Sequence, residues 1–484
     1  MSSTTLPSPS LFRRRSVASL TREDGAHALA RRLGPFQLIL LGVGCTIGAG
    51  LFSLTGLAAA DDAGPAVVIA YLIAATGCVF AGLCYSEMAS MIPVAGSAYT
   101  YAYASLGEIV AWIIGWDLIL EYAVAASTVA VSWSGYVNVL LETFGVHLPP
   151  RLLASPFETV TPAGGGHAHG LVNLPAALAI VGVSLLLIRG ISQSAKVNAA
   201  IVAIKLAVIL AVVCFGLPYT KAANWHPFIP ANTGHFGEFG WSGIIRAAGM
   251  LFFAYIGFDA VSTAAQESRN PGRDMPIGLI GSLALCTIAY VVFAFVLTGL
   301  VNYRTMHGDP APVATAIDQT PFEFLHLLVK IGIVCGFTSV LLVLLLGQSR
   351  ILYAMARDGL LPRFFSDVHP RFRTPWRSNL LVMVISAAIA AFFPLGELGS
   401  MASIGTLFAF VVVCAGVLAL RRIDPARERR FRVPFGPVIP VCGIVFCLGL
   451  MASLGRDTWI RLVVWLAVGL VIYFAYGRRH ARGD

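Results

Sequence analysis

The chain has 484 residues, of which 57% are hydrophobic and 12% charged, with a formal net charge of +9 and a mean hydropathy of +0.80. Charge at about half the share usual in soluble domains, together with long apolar runs, excludes an ordinary globular protein and points to a polytopic membrane protein. The basic residues lie in short loops between apolar runs, not in an aromatic or motif-bearing basic domain, so the positive balance does not indicate nucleic-acid binding.

In chain order, residues 1–34 are polar and Arg-bearing and read as a disordered cytoplasmic tail. The apolar run that follows is too long for the core of a signal peptide. Twelve spans are expected, at roughly 36–60, 65–90, 106–140, 172–190, 196–218, 241–266, 276–301, 321–353, 379–394, 398–420, 437–454 and 458–476. The first contains GVGCTIGAGLF, with Gly42, Gly44, Gly48 and Gly50 close together. Each glycine costs about 1 kcal/mol in a helix interior relative to alanine, so the run opposes a continuous helix. The third span carries Asp117 and Glu121 on one helical face. The loop 141–171 contains GGGHAHG with His167 and His169; its glycines favour a flexible linker over a metal tract. The nine cysteines are scattered, mostly within apolar segments, and read as small buried hydrophobes rather than a disulfide framework or metal site.

The fifth span carries Lys205 about nine residues in, or ~14 Å from its start. A lysine at such depth costs ~2.5–3.5 kcal/mol on insertion scales and is a functional signal by default, with snorkelling to the interface as the plainer alternative. The sixth span contains FFAYIGFDA, a second glycine-interrupted stretch, in which Asp259 follows the break. Arg246 and Lys330 lie nearer span ends and read as interface anchors. The basic connection Arg350–Arg377, with Pro362, Pro370 and Pro375, reads as a topology determinant, with anionic lipid as a secondary ligand.

Of the 33 Lys and Arg residues, 25 fall on the side of the two tails, five on the other and three within spans. Both termini are therefore expected in the cytoplasm. Spans one to five (35–220) and six to ten (241–420) read as two repeats, followed by spans eleven and twelve (437–476) and a cytoplasmic tail (477–484). An odd number of spans per repeat forces the copies into opposite orientation, and paired breaks in corresponding spans point to a transport site near the bilayer midplane.

Non-helical backbone at membrane depth is tolerated only where protein or a water-filled cavity satisfies it. A ligand can supply the complementary groups: an anionic group suits the free N–H groups that open a half-helix. Those of Gly48, Ala49 and Gly50 are the candidate donors, with Thr46 and Ile47 at the break. Carbonyls left unpaired before Gly257, namely Phe253, Ala254 and Ile256, are the candidate acceptors for a cationic group such as an ammonium. Close helix packing through small residues is the alternative explanation of the glycines.

Three motifs, GVGCTIGAGLF, FFAYIGFDAVSTAAQESRNPGRDMP and LLGQSRILYAMARDGLLP, resemble in order those of bacterial members of the cationic amino acid transporter family. That family lies within the amino acid–polyamine–organocation superfamily. The resemblance covers about Gly34 to Ala475; it departs at Gln266–Glu267, where members often carry two acidic residues. It implies an all-α, leucine-transporter-like 5+5 inverted repeat of twelve helices, with helices one and six broken. It further implies secondary, usually proton-coupled, uptake of amino acids across a bacterial inner membrane. It suggests Tyr255, Phe258 and Ser339 as cavity walls and a proton-binding role for Lys205 in place of a sodium ion. Protonated Lys205 would donate to first-span carbonyls and to Thr338 or Ser339. Glu121 and Asp259 match acidic positions of the family and are candidates for a relay, a cation contact or structural bonding.

The reading is a symporter of small neutral amino acids, against a cationic amino acid uniporter or exchanger, or a non-transporting sensor on the same fold. The expected partners are the L-amino acid, a proton and the bilayer, with a small single-span accessory protein or anionic lipid as further candidates. No cofactor, metal or nucleic acid is expected. HExxH, GxSxG and nucleotide-binding signatures are absent from the sequence.

Overall fold

The computed structural model describes residues 12–15, 33–92, 97–160, 167–190 and 195–481. Helices carry most of this chain: α1 (Pro35–Thr46), α2 (Val67–Met91), α3 (Ser97–Ser105), α4 (Glu108–Thr143), α5 (Leu174–Ile188), α6 (Ala195–Gly216), α7 (Gly240–Leu251), α8 (Pro271–Leu300), α9 (Glu323–Arg357), α10 (Trp376–Phe392), α11 (Leu395–Ile423), α12 (Val438–Ser453) and α13 (Arg456–Ile472). Among the described residues, seven helical stretches are long and apolar enough to cross a membrane, and four shorter apolar helices accompany them. One long stretch, Gly50–Met91, reverses at Gly64, whose φ of +61° is a conformation that glycine adopts without strain. Local sequence sets the ends of the helices. Asn173 caps α5 by accepting the Ala176 N–H at 3.2 Å, ahead of Pro175 in the first turn. Pro271 opens α8, where its missing N–H is no loss.

The helices pack in two sets. α1 packs on α8, α8 on α2 and α2 on α7, whereas α4, α5, α9 and α10 all lie against one another, and α6 touches α1, α8 and α9. α11 leans on α4 and α12. α13 is held to α4 by stacked indoles, Trp112 on Trp116 and Trp116 on Trp465, and by reciprocal bonds from each Trp116 and Trp465 indole N–H to the other's carbonyl.

Several expectations change. Within the tail read as disordered, Phe12–Arg15 is docked on the protein, and Leu33 pairs with Ser268; the remainder, 1–11 and 16–32, lies outside the described residues. In the loop read as a flexible linker, Thr159–Val160 pairs antiparallel with Ala168–His169, although 161–166 lies outside the described residues. Cys214 and Cys335 are exposed, not buried: an apolar run says nothing of which helix face meets protein. Lys330 is buried and paired with Asp318 at 3.0 Å, and so is not a surface anchor.

Candidate functional site

Both glycine-rich stretches leave the helix. α1 stops at Thr46, and Ile47 turns out of helical conformation with ψ 112°. The chain then resumes in a wide π-type turn, Gly50–Leu54, whose first bonds run from the Leu51 and Phe52 N–H groups to the Gly48 carbonyl at 3.2 Å. The N–H groups of Gly48, Ala49 and Gly50 precede those bonds, as the opening donors of any helix do. In the second stretch, α7 stops at Leu251 and the chain tightens to a 3₁₀ turn over Phe252–Tyr255. Ile256 is extended, Gly257 takes φ +102°, and a short helix resumes at Ala260. This interruption begins a full turn earlier than the glycine alone marks.

The two breaks are packed onto each other. A Cβ at Gly50 would lie 2.3 Å from the Ala254 Cα, and one at Gly257 2.8 Å from the Cys45 carbonyl oxygen. Only glycine at both places lets the two backbones approach this closely. Gly48 is different: a Cβ there would meet the Val340 side chain at 3.4 Å, an ordinary contact.

A small cavity opens beside them, bounded by Cys45, Thr46, Gly48, Ala49 and Gly50 from the first break and by Phe253 and Ile256 from the second. Its volume of about 20 Å³ has room for a water molecule but not for an amino acid. The remaining walls are aliphatic: Ala125 and Val129 from α4, Val340 and Leu344 from α9. Sequence reasoning missed these four. Their i, i+4 spacing on two helices is the only signal they carry, and in helices apolar on every face that signal does not stand out.

The walls suggested earlier lie elsewhere. Tyr255 donates its hydroxyl to the Tyr71 carbonyl at 3.2 Å and packs against the Tyr71 and Tyr290 rings. Phe258 stands edge-on to Tyr85 and Phe410. Ser339 is buried but does not line the cavity. The two aromatic side chains pack into ring clusters rather than against the cavity. Nor are all three acceptor carbonyls unpaired: the Ile256 N–H donates to Phe253 O at 3.0 Å, and the Tyr290 hydroxyl to Ala254 O at 2.9 Å. Each carbonyl keeps a second lone pair. The Tyr290 hydroxyl also lies 3.2 Å from the Thr46 carbonyl, tying α8 to both breaks.

Lys205, only 2% exposed, does not snorkel. Its Nζ donates to the carbonyls of Gly44 and Ile47, at 2.9 Å each. In an unbroken helix these carbonyls would take the N–H groups of Gly48 and Leu51. Lys205 therefore supplies the two donors that the break removes, at the negative end of the α1 dipole. Its stem lies along Gly336 of α9, where a Cβ would come within 3.2 Å of the lysine side chain. Thr338, expected as a partner, instead accepts the Trp133 indole N–H at 3.1 Å on an exposed face and donates to Val334 O.

The acidic residues stand apart from the cavity. Asp117, Glu121 and Asp259 are all buried, but none lines it. Glu121 lies beside Thr406 of α11, and a Cβ at the neighbouring Gly405 would sit 3.3 Å from an Asp117 carboxylate oxygen.

With this geometry established, comparison with known proteins is informative. The chain matches the amino acid permease family model over residues 33–474. It is 43% identical to a branched-chain amino acid permease of Bacillus subtilis, across 98% of this chain and 99% of the relative. It is 42% identical to a methylthioribose transporter of the same organism, with the same coverage. It is 35% identical to a branched-chain amino acid permease of Lactococcus lactis, across 97% of this chain and 99% of the relative.

Proposed function

The chain belongs to the amino acid permease family, and on that premise we propose that it is a secondary active transporter which couples entry of a neutral aliphatic L-amino acid to entry of a proton. The membrane is the bacterial plasma (inner) membrane, crossed twelve times with both termini in the cytoplasm. The spans are counted with α1 and the stretch Gly50–Ala63 as the first, and α7 with the helix after Gly257 as the sixth. Residues 35–220 and 241–420 are two inverted repeats of five spans each, and 437–476 supplies the last two.

The observation that carries the reading is the meeting of two helix breaks around an aliphatic cavity, with a buried lysine on the carbonyls of one break. The substrate carboxylate takes the N–H groups of Gly48, Ala49 and Gly50. Its ammonium takes the Ile256 carbonyl and the second lone pairs of Phe253 and Ala254. The side chain lies against Ala125, Val129, Val340 and Leu344. Among the described residues no carboxylate lines this cavity, which favours a neutral side chain over a cationic one. Two relatives named as branched-chain amino acid permeases support the same class.

Coupling follows from Lys205. Protonated, its ammonium holds α1 by two charge-assisted bonds, which are about twice as strong as neutral ones. Loss of the proton toward the cytoplasm weakens both bonds and frees α1 to tilt, opening the cavity inward. The proton thus does the work that a bound sodium ion would do.

Uptake into proteoliposomes tests this. Leucine, isoleucine, valine and alanine should accumulate under an inward proton gradient and be indifferent to sodium. Sodium-driven accumulation would overturn the coupling. Protection against thermal unfolding by methylthioribose, a ribose derivative, and by no amino acid would overturn the substrate class.

A further inference from the structure

A second cavity, of about 350 Å³, lies between the end of α4 and the start of α5, away from the breaks. It falls within the size range of small-molecule sites. Trp133, Val137 and Leu141, at i, i+4 and i+8 on one face of α4, form one wall, and Leu174 and Leu178 of α5 form the other. The segment 148–152 crosses between them and contributes Leu152. This segment is fixed in place: the Arg151 carbonyl accepts the N–H groups of Leu171 and Val172, at 2.7 and 3.3 Å, just before α5 begins. The Trp133 indole N–H is already given to Thr338 of α9 at 3.1 Å, so that ring has no donor left for a polar ligand.

The walls and rim indicate the occupant. The lining consists of Leu, Val, Pro, Trp and Ala, so a polar ligand would be buried there without partners, at a cost. Leu174 and Leu178 are 41% and 59% exposed, on a helix apolar enough to lie in a membrane, so the cavity opens toward hydrocarbon. A docked helix fits poorly: close helix packing in membranes uses small residues, and of the lining residues only Ala179 is small. A flexible acyl chain fits large, branched walls. The rim is basic. Arg151 is exposed, in the same turn as Leu152, whereas Glu142, in the last turn of α4, is engaged by the Asn138 amide at 2.9 Å.

We propose that this cavity is a binding site for a phospholipid, with one acyl chain held between α4 and α5 and the phosphate on the Arg151 guanidinium, whose planar fork suits phosphate oxygens. The proposal rests on α4 and α5 crossing the bilayer and not on amino acid transport. The chain braces the aliphatic wall between the breaks from behind. Val129 lies one turn before Trp133 on α4, and Val340 lies two residues after Thr338, the partner of the indole on α9.

Photolabelling tests this on the full chain in dodecyl maltoside micelles, titrated with a phosphatidylglycerol that carries a diazirine in its acyl chain. Label on Val137, Leu141, Leu152 and Leu178 should saturate, whereas label on Val463 and Val468, exposed on α13, should rise linearly as for unspecific contact. Leu178→Trp, which fills the cavity from its exposed rim, should abolish the saturable part at an unchanged melting temperature. Arg151→Gln should raise the half-saturating concentration about fivefold, as loss of one basic contact near the membrane surface does. A diacylglycerol with the same diazirine chain, which lacks the phosphate, should bind the parent equally weakly. Linear labelling at both regions, or saturable labelling that survives Leu178→Trp, would overturn the site. An Arg151→Gln titration like that of the parent would overturn the phosphate contact. Capture of another protein chain by benzoylphenylalanine at Leu178, with no saturable lipid, would assign the cavity to a helix and overturn the lipid. Uptake is not measured, so each outcome stands if the transport reading fails.

Discussion

The two helix breaks look alike in sequence and differ in how their backbone is satisfied. At the first, the interruption is two residues long, and its orphaned carbonyls, Gly44 and Ile47, are held by the ammonium of Lys205. At the second, the interruption is longer and its carbonyls are taken by neutral donors, the Ile256 N–H and the Tyr290 hydroxyl. Neutral donors keep their strength across any ordinary change in pH; an ammonium loses the charge assistance of its bonds when it is deprotonated. On the coupling proposed above, the same device, a gap in a membrane helix, is conditional at one break and permanent at the other. A transporter needs both, since one side of the site must move while the other keeps its shape.

The sharpest way to break this comparison is Lys205→Ala. It leaves two buried carbonyls without donors, at about 1–3 kcal/mol each, and removes the proton-sensitive element. Concentrative uptake under a pH gradient should be lost, while substrate protection against thermal unfolding largely remains, because the backbone donors of Gly48, Ala49 and Gly50 are untouched. Full pH-driven accumulation by this variant would show that the first break is as permanent as the second.

Next in size is Gly50→Ala. The added Cβ would sit on the Ala254 backbone, and backbone cannot yield as the end of a side chain can. Forcing the two breaks apart should cost about 1–3 kcal/mol, seen as a lower melting temperature with loss of substrate binding. Gly48→Ala, which meets only Val340 at an ordinary distance, should fold like the parent. Equal melting temperatures for the two variants would mean that the breaks do not depend on contact with each other.

Leu344→Ala tests the aliphatic wall. Removing the branched side chain enlarges the cavity beside the first break. A gap of this kind shifts selectivity by roughly tenfold or more for each methylene-sized mismatch. Competition assays should show leucine and valine losing ground to methionine and phenylalanine, with pH-driven accumulation intact. Unchanged selectivity would move the side-chain pocket away from α9.

How much of this was legible beforehand depended on whether a residue broke its local pattern. Gly48 and Gly257 lie in glycine-dense runs inside apolar spans, and Lys205 is a charge where charge is costly, so each stood out. Val129, Val340 and Leu344 are apolar residues in helices that are apolar all round, and nothing in such a helix marks the face that meets a cavity. Tyr255 and Phe258 drew attention by adjacency to Gly257, but a chain leaving a helix reverses the direction of its neighbours, and both rings turned into aromatic clusters. Arg15 was hidden by composition: a polar, basic tail reads as disordered, and its partner, Asp358, lies 343 positions away.

The smallest expected effect, and the one most specific to the permanent break, belongs to Tyr290→Phe. The hydroxyl lies 2.9 Å from the Ala254 carbonyl and 3.2 Å from that of Thr46, so it touches both breaks without changing charge. Its removal leaves the ring packed against Tyr71 and Tyr255 and costs only the net worth of buried hydrogen bonds, about 0.5–1.5 kcal/mol. If the second break serves only to hold the ammonium end of the substrate, KM should rise a few-fold, while the dependence of uptake on the proton gradient stays that of the parent. A changed pH profile would mean that Tyr290, through Thr46, also sets the strength of the Lys205 clamp. The two breaks would then act as one coupled element instead of a switch and a fixed support.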